Sequence, residues 1–359
     1  MTDLMESPAP AEARGELPLI QPQLPRMALG LVLLVALAVA GLLLLLTDVS
    51  IVLAAVVVWL VLVLVLPIWS YLIEGSRKAV DRIATLGVWT AFVVAMLPLL
   101  SLLFTLVSKG SGILSAQFFN NSMRGVLGEG GGIYHAIIGT LIITGFATVI
   151  SVPIGVLSAV YLVEYGKGNR LAKTITLLVD VMTGIPSIVA GLFAYALFVL
   201  IFGPGVRMGF GGSVALSVLM IPIVVRATEE MLKLVPDELR EAAYALGVPK
   251  WRTITKVVLP TAVAGIVTGV TLAIARVAGE TAPLLIIAGY TTSTNFNAFD
   301  GRMANLPVFI FQSVTQPGIY REESLNYAWG AALVLVAIVM ILNVIARVIG
   351  AVFAPKTGR

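Results

Sequence analysis

Cysteine is absent from the 359-residue sequence, and His135 is its only histidine. These absences exclude disulfides, cysteine metal sites and a histidine cluster for zinc or iron. Charged residues are also scarce, at 12% of the chain, whereas a typical soluble domain has about 25%. Hydrophobic residues make up 59%. The composition therefore predicts an all-α protein that crosses a membrane several times.

A phosphate-binding loop of the form Gly-x4-Gly-Lys-Ser/Thr is also missing from the sequence. Such a loop is the usual cradle for nucleotide phosphates, so any ATP-driven step would take place on another chain. The sequence has no His, Cys or paired-carboxylate constellation typical of an enzyme site. The net charge of +4 fits basic membrane loops better than nucleic-acid binding.

Eight apolar runs approach or exceed the roughly 20 residues that a helix needs to cross the hydrocarbon core. They cover residues 27–46, 51–73, 84–107, 134–162, 174–202, 212–226, 261–289 and 328–350. Most basic residues fall in the loops on the side of the N-terminus, so the positive-inside rule predicts that both termini are cytoplasmic. The expected location is the plasma membrane of a bacterium or archaeon.

The apolar pattern also predicts the domain organisation. Residues 1–25 have little apolar content and are predicted to form a disordered cytoplasmic tail. Residues 26–75 are predicted to form a transmembrane helical hairpin, and residues 76–355 a larger transmembrane domain. A cytoplasmic loop at about residues 227–260 interrupts this larger domain.

This loop contains a short amphipathic helix, which Pro236 begins and Gly247 ends. Acidic residues in its first turn favour the positive end of the helix dipole. The predicted apolar stripe consists of Leu239, Ala242, Ala243 and Leu246, opposite Asp237, Glu238, Arg240 and Glu241. A helix lying on membrane lipid has the same pattern as one that docks a partner, so amphipathicity alone leaves both interpretations open.

Two charged residues, Arg276 and Glu280, lie inside the seventh apolar run. A charge at the bilayer centre costs roughly 2.5–3.5 kcal/mol on insertion scales, so both side chains should face protein or water. Their i, i+4 spacing predicts that they lie on one helix face and can pair. Mutual neutralisation is one interpretation, and a polar pathway is the other. Gly279 and Pro283 would permit a local kink.

Arg226, at the end of the sixth run, adds a second guanidinium directed into the same bundle. The surplus positive charge suits an oxyanion, because guanidinium offers planar paired donors and stays charged. Glu280 would compete for Arg276 and weaken binding, as release from a transport pathway requires. The predicted substrate pathway consists of Arg226, Arg276 and Glu280.

The spacing Glu241-Ala242-Ala243-x3-Gly247-x9-Val257-x-Leu259-Pro260 resembles the EAA loop of ABC-importer inner-membrane subunits. Valine replaces the usual isoleucine of that pattern. In this family the short helix seats in a groove of the ATP-binding subunit, where alanine permits close approach and glycine makes the turn. The resemblance assigns ATPase docking to Glu241, Ala242, Ala243 and Gly247.

Two further stretches, Thr-Gly-Ile-Pro-Ser-Ile-Val-Ala-Gly at 183–191 and Ala-Arg-Val-Ala-Gly-Glu-Thr-Ala-Pro-Leu-Leu at 275–285, extend this resemblance. Together with the EAA loop they resemble phosphate-specific ABC importer permeases of the PstA type, over roughly residues 80–355. The resemblance implies a type I importer core of six helices, to which the N-terminal hairpin is an addition. It also implies that Arg226 and Arg276 line a phosphate path.

The same resemblance implies the partners. They are a PstC-type sister permease, two PstB-type ATPase subunits that hold ATP and magnesium, and a PstS-type phosphate-binding protein. The chain itself would be a transport subunit without a cofactor or metal. Two arginines alone do not rank tetrahedral anions, so molybdate or sulfate is an alternative substrate. A secondary transporter is the alternative from a different class, although the sequence shows no inverted repeat.

Overall fold

The structure is a computed structural model that describes residues 23–25, 27–166 and 168–353. Residues 1–22 of the predicted tail lie outside the described residues. The described residues form fourteen α-helices. They are α1 (Ala28–Leu46), α2 (Ile51–Glu74), α3 (Ser76–Gly110), α4 (Ala116–Asn120), α5 (Tyr134–Val160), α6 (Arg170–Thr183), α7 (Ser187–Phe202), α8 (Gly209–Lys233), α9 (Asp237–Ala245), α10 (Lys250–Thr253), α11 (Leu259–Ala278), α12 (Ala282–Ile287), α13 (Leu306–Thr315) and α14 (Arg321–Phe353).

Three short turns of other helix types continue these helices. A 3₁₀ turn, Ser111–Ile113, follows α3, and a π-helical turn, Tyr161–Tyr165, follows α5. A second π-helical turn, Ile254–Val258, joins α10 to α11. The two π-helical turns therefore extend α5 and α11 at the ends that approach α9.

Among the described residues, seven helical segments are long and apolar enough to cross a membrane. The bent pair α6 and α7 makes an eighth if it counts as one span. An all-helical polytopic membrane protein, predicted from composition, is therefore confirmed. The sixth run is longer than predicted, because α8 begins at Gly209 and continues two turns past Arg226 to Lys233.

The fifth run, predicted as one span, is not one continuous helix. It divides into α6 and α7, whose axes differ by 110°. Gly184, Ile185 and Pro186 lie at the break. Proline has no N–H to donate and disfavours helical geometry in the residue before it, so the apolar run is interrupted there.

The seventh run is also interrupted rather than kinked. The helix α11 ends at Ala278, and the short helix α12 begins at Ala282 with Pro283 in its first turn. The N–H groups of Gly279 and Glu280 donate to the carbonyls of Arg276 and Val277, at 3.3 and 3.1 Å. These bonds satisfy two carbonyls at the end of α11, where the helix stops.

The chain divides into two compact units, Met1–Leu102 and Leu103–Arg359. In the first unit, α1 packs against α2. Arg82 forms an ion pair with Glu74 at 2.8 Å, and the indole of Trp59 donates to the Thr90 hydroxyl at 2.9 Å. These bonds join α2 to α3 within the unit.

In the second unit, α8 is the central helix and packs against α5, α6, α7, α11 and α12. Its side chains Leu216, Met220 and Val224 are fully buried. Small residues allow the close approach, since a side chain on Gly155 of α5 would collide with Val224 at 2.6 Å. The end of this unit that contains α9 is called the α9 end below.

Candidate functional site: an arginine at a helix break and a docking helix

Arg276 occupies the last turn of α11, and its side chain is exposed. Within the described part of the chain, no ion pair joins it to a carboxylate. A cation in the last turn interacts favourably with the negative end of the helix dipole, so this position tolerates a guanidinium. The side chain remains available to a ligand or to another chain.

The depth of Arg276 follows from the packing of α11 against α8. Gly269 lies against Ala227, and Gly265 lies against Met231, so the two helices run antiparallel with almost no space between them. This glycine pair has the small-xxx-small spacing that favours close helix contacts in membranes. Arg276 is seven residues beyond Gly269, about 10 Å further along the axis at 1.5 Å per residue. That distance places it near the middle of α8.

The predicted pairing of Arg276 with Glu280 on one helix face is wrong. Glu280 lies past the end of α11, in the break before α12, and is half-buried. The i, i+4 rule applies only to a continuous helix, and the helix stops between these two residues. The break still keeps both charges close in the chain, at one interruption of a membrane-spanning segment.

Arg226 has two carboxylate partners. Its guanidinium bonds to Glu229 at 2.7 Å and to Asp180 of α6. Lys233 also bonds to Glu229, at 2.7 Å. The surplus of positive charge that the sequence suggested at Arg226 is therefore largely neutralised. Since Arg226 stands one residue from Ala227, it lies about 9 Å along the helix axes from the level of Arg276.

The two sequence stretches that carry the phosphate-permease resemblance meet in space. Gly191 of α7 lies against Pro283 of α12, and α7 packs along α12. The break between α6 and α7 and the break between α11 and α12 are therefore neighbours in the bundle. Two interrupted spans that pack together are typical of places where membrane proteins bind ligands near the midplane.

At the other site, α9 begins after Pro236 and ends at a glycine turn, as predicted. Gly247 has φ of +75°, a conformation that side chains other than glycine rarely adopt. The Gly247 N–H donates to the carbonyl of Tyr244 at 2.9 Å, and the Val248 N–H donates to that of Ala243 at 3.1 Å. These bonds satisfy the carbonyls at the helix end.

The predicted apolar stripe of α9 is only partly correct. Ala243 alone is buried in this chain, whereas Leu239, Ala242 and Leu246 are exposed. Arg240, predicted on the opposite charged face, points inward instead because it bonds to Glu164. The exposed residues therefore leave an apolar surface on α9 uncovered. Glu241 is exposed beside it.

Glu164 and Arg240 were missed by the sequence reasoning. They are joined at 2.9 Å, and their side chains retain only 5% and 12% exposure. Both line a cavity of about 530 Å³ at the α9 end, together with Lys233, Glu241 and Lys250. A separation of 76 residues along the chain leaves no local pattern from which the pair could have been found.

Comparisons with known proteins agree with this architecture. Residues 151–359 match the family described as binding-protein-dependent transport system inner membrane component. The phosphate transport system permease protein PstA 1 of Mycobacterium tuberculosis (strain ATCC 25618 / H37Rv) is 48% identical over 276 residues, covering 76% of this chain and 88% of its own length. The PstA protein of Yersinia pestis is 42% identical over 286 residues, covering 78% and 92%.

Among solved structures, the MetNI methionine ABC transporter in an inward-facing conformation has a TM-score of 0.51 and 22% identity. The match covers 67% of this chain and all of that chain. At this identity the likeness shows the fold, which is that of an ABC importer permease.

The fold and the family match together define a multi-pass inner-membrane permease subunit, which is not itself a catalyst. The chain belongs to the binding-protein-dependent transport system inner membrane components, and within them to the PstA group of phosphate transport system permeases. An ABC importer permease works with ATPase and binding-protein partners. The family membership also rules out the secondary-transporter alternative.

Proposed function

We propose that this chain forms one half of the translocation pathway of an ATP-driven importer of inorganic phosphate. The names of the PstA relatives support phosphate as the substrate. The other half of the pathway would come from a PstC-type sister permease. Two PstB-type ATPase subunits would hold ATP and magnesium, and a PstS-type protein would deliver phosphate.

The observation that carries the proposal is the exposed guanidinium of Arg276 at the end of α11. A charge in a membrane-spanning segment avoids lipid because of its insertion cost. With no acidic partner among the described residues, Arg276 faces either the pathway or the sister permease. Guanidinium matches phosphate oxygens with paired donors and is less strongly hydrated than ammonium. It therefore suits transient contact with a dehydrating anion.

Arg226 and Glu280 have supporting roles in the proposed pathway. Arg226, held by Glu229 and Asp180, is nearly neutralised and would offer phosphate a weaker site than Arg276. Glu280, in the same break as Arg276, repels an anion and limits how tightly Arg276 holds it. A transport pathway needs such weak, multiple sites so that the ion can leave.

The α9 end is proposed to face the cytoplasm, with both termini on that side. Lys233, Arg240, Lys250, Arg252 and Lys256 cluster there, as the positive-inside rule expects. The ATPase would contact the exposed part of α9. Ala242 and Ala243 would allow close approach, Glu241 would lie at the edge of the contact, and the turn at Gly247 would fix the direction in which the helix presents this surface.

The experiment that tests the proposal uses the assembled complex in lipid vesicles, with the phosphate-binding protein outside and ATP inside. Labelled phosphate uptake is measured with and without competing molybdate or sulfate. Arg276→Ala is compared with Arg321→Ala, which removes an exposed arginine at the start of α14. We expect phosphate-selective, ATP-dependent uptake that Arg276→Ala abolishes and Arg321→Ala preserves.

Normal uptake by Arg276→Ala, at an unchanged amount of assembled complex, would contradict the pathway assignment. Uptake of molybdate or sulfate in preference to phosphate would keep the permease and replace the substrate. Arg276→Lys separates charge from geometry, because lysine retains the charge but loses the paired donors. We expect this variant to retain only a small part of the uptake.

A further inference from the structure

The cytoplasm-facing helix α9 is tied to α5 by one buried ion pair. Glu164 lies in the π-helical turn that continues α5, and a single Glu164 oxygen accepts bonds from Nη2 and Nε of Arg240, at 2.9 and 3.1 Å. Both side chains are largely shielded from water. A shielded charge-assisted pair of this kind is stronger and better oriented than a surface pair.

Arg240 also forms hydrogen bonds with the end of α8. Its Nη1 donates to the carbonyl of Val235 at 2.7 Å, and its Nη2 donates to that of Leu232 at 3.0 Å. One guanidinium thus joins α9, the end of α8 and the extension of α5. On the other side, Lys250 donates to the Glu164 carbonyl and stands over the Tyr165 ring, 4.8 Å from its centroid.

The surroundings of the pair are open rather than packed. The cavity of about 530 Å³ lies directly beside Glu164 and Arg240. Among the described residues, the hydrogen bonds that the structure shows between α9 and this extension of α5 are those of the ion pair. π-helical turns such as Tyr161–Tyr165 occur frequently at functional sites.

The helix α5 can carry a displacement from the α9 end to the opposite end of the unit. It packs along α8 for much of its length. Near its beginning, Gly139 lies tightly against Ala304, and the Thr140 hydroxyl accepts a bond from the Leu306 N–H at 2.8 Å. A shift of Glu164 would therefore displace α5 at both of its ends.

We propose that the Glu164–Arg240 pair is the strut through which movement of α9, imposed by the ATPase, reaches α5 and opens or closes the pathway. Both are positioning residues and do not touch the substrate. This inference rests on the proposed function, because it requires an ATPase on α9. It adds a defined mechanical link that ATPase docking alone does not specify.

The test measures phosphate imported per ATP hydrolysed in Glu164→Gln and Arg240→Gln. Glu238→Gln is the matched control, since Glu238 is an exposed acid on the same helix. We expect each single variant to lower the ratio about tenfold, a loss within the usual range of coupling energies, while the ATPase still copurifies.

A second readout reports movement directly. The chain has no cysteine, so cysteines placed at Leu157 on α5 and Glu238 on α9 can be spin-labelled specifically. Both positions are exposed. In the otherwise unchanged protein the distance between the two labels should stay constant when ATP binds. With Arg240→Gln, α9 should move without α5, so the distance should change.

An unchanged import ratio in Glu164→Gln would overturn the strut, as would a loss of import that only parallels loss of the ATPase. Equal label distances with and without Arg240 would also overturn it. If the unsubstituted complex imports no phosphate but its ATPase responds to the binding protein, the substrate assignment fails instead. The label distances would then still test whether the Glu164–Arg240 pair makes α9 and α5 move together.

Discussion

Gly191 and Pro283 touch through their backbones, since a methyl group placed on Gly191 would lie 2.5 Å from the Cα of Pro283. This contact joins the two interrupted spans and holds the segment that contains Glu280 close to α7. No flexible side chain is available to move aside. The position of the break in the seventh span therefore depends on the absence of a side chain at residue 191.

Gly191→Ala is expected to destabilise the protein by about 1–3 kcal/mol, the usual cost of overpacking, and to reduce phosphate uptake. Thermal unfolding in detergent and vesicle uptake measure the two effects. The control is Gly145→Ala on α5, where a methyl group would meet nothing within 4 Å. That variant should be neutral or slightly stabilising, because alanine favours helix over glycine. Equal unfolding temperatures for both variants would contradict the close contact.

Gly247→Leu is expected to distort the turn after α9 and to uncouple ATP hydrolysis from transport. The cause is conformational rather than steric, because a Cβ at Gly247 would meet no atom within 4 Å. A left-handed residue other than glycine costs roughly 1–2 kcal/mol. Gly247→Asn should be milder, since asparagine tolerates this conformation. Wild-type ATPase copurification and transport in the leucine variant would count against a docking role for the turn.

Leu246→Gln is expected to weaken retention of the ATPase without changing the stability of this chain. Leu246 directly follows α9 and is 84% exposed, so the change removes little internal contact. The matched control is Leu234→Gln, at the end of α8 and 72% exposed. Quantitative copurification of the ATPase distinguishes the two variants. If both retain it equally, the apolar surface of α9 is not the docking surface.

Glu229→Gln is expected to destabilise the protein more than Asp180→Asn. Both acids bond to Arg226, but the Glu229 side chain is 12% exposed and that of Asp180 is 57% exposed. An exposed pair is worth about 0–1 kcal/mol, whereas loss of a shielded partner costs more. Unfolding in detergent ranks the two variants. The reverse order would show that α6 is fixed mainly through Asp180.

Apolar run length was enough to locate the seven long apolar helices of the described residues, because crossing a membrane requires a continuous stretch of suitable length. The short helix α9 was also predictable, since Pro236 and Gly247 mark its limits by local backbone chemistry. These features depend on neighbouring residues alone. The EAA spacing then made the functional class accessible from the sequence.

The errors arose where tertiary packing decides the outcome. Hydropathy does not distinguish one long span from two helices separated by a bend, so the break near Pro186 was read as continuous helix and the break near Gly279 as a local kink. The expected pair of Arg276 with Glu280 failed for the same reason. The bond of Arg226 to Asp180 joins residues 46 apart in sequence, and the fold alone brings them together.

The π-helical turn Ile254–Val258 gives the chain between α9 and α11 one residue more than an α-helix would use there. Each residue of an α-helix contributes about 100° of rotation and 1.5 Å of rise. Deleting one residue from this turn would therefore let the helix continue without a bulge and leave Lys250 close to its present orientation, whereas deleting a residue from regular α-helix beside it would rotate Lys250 by about 100°. The length of this segment, as much as its composition, determines which side of α9 is presented at the surface.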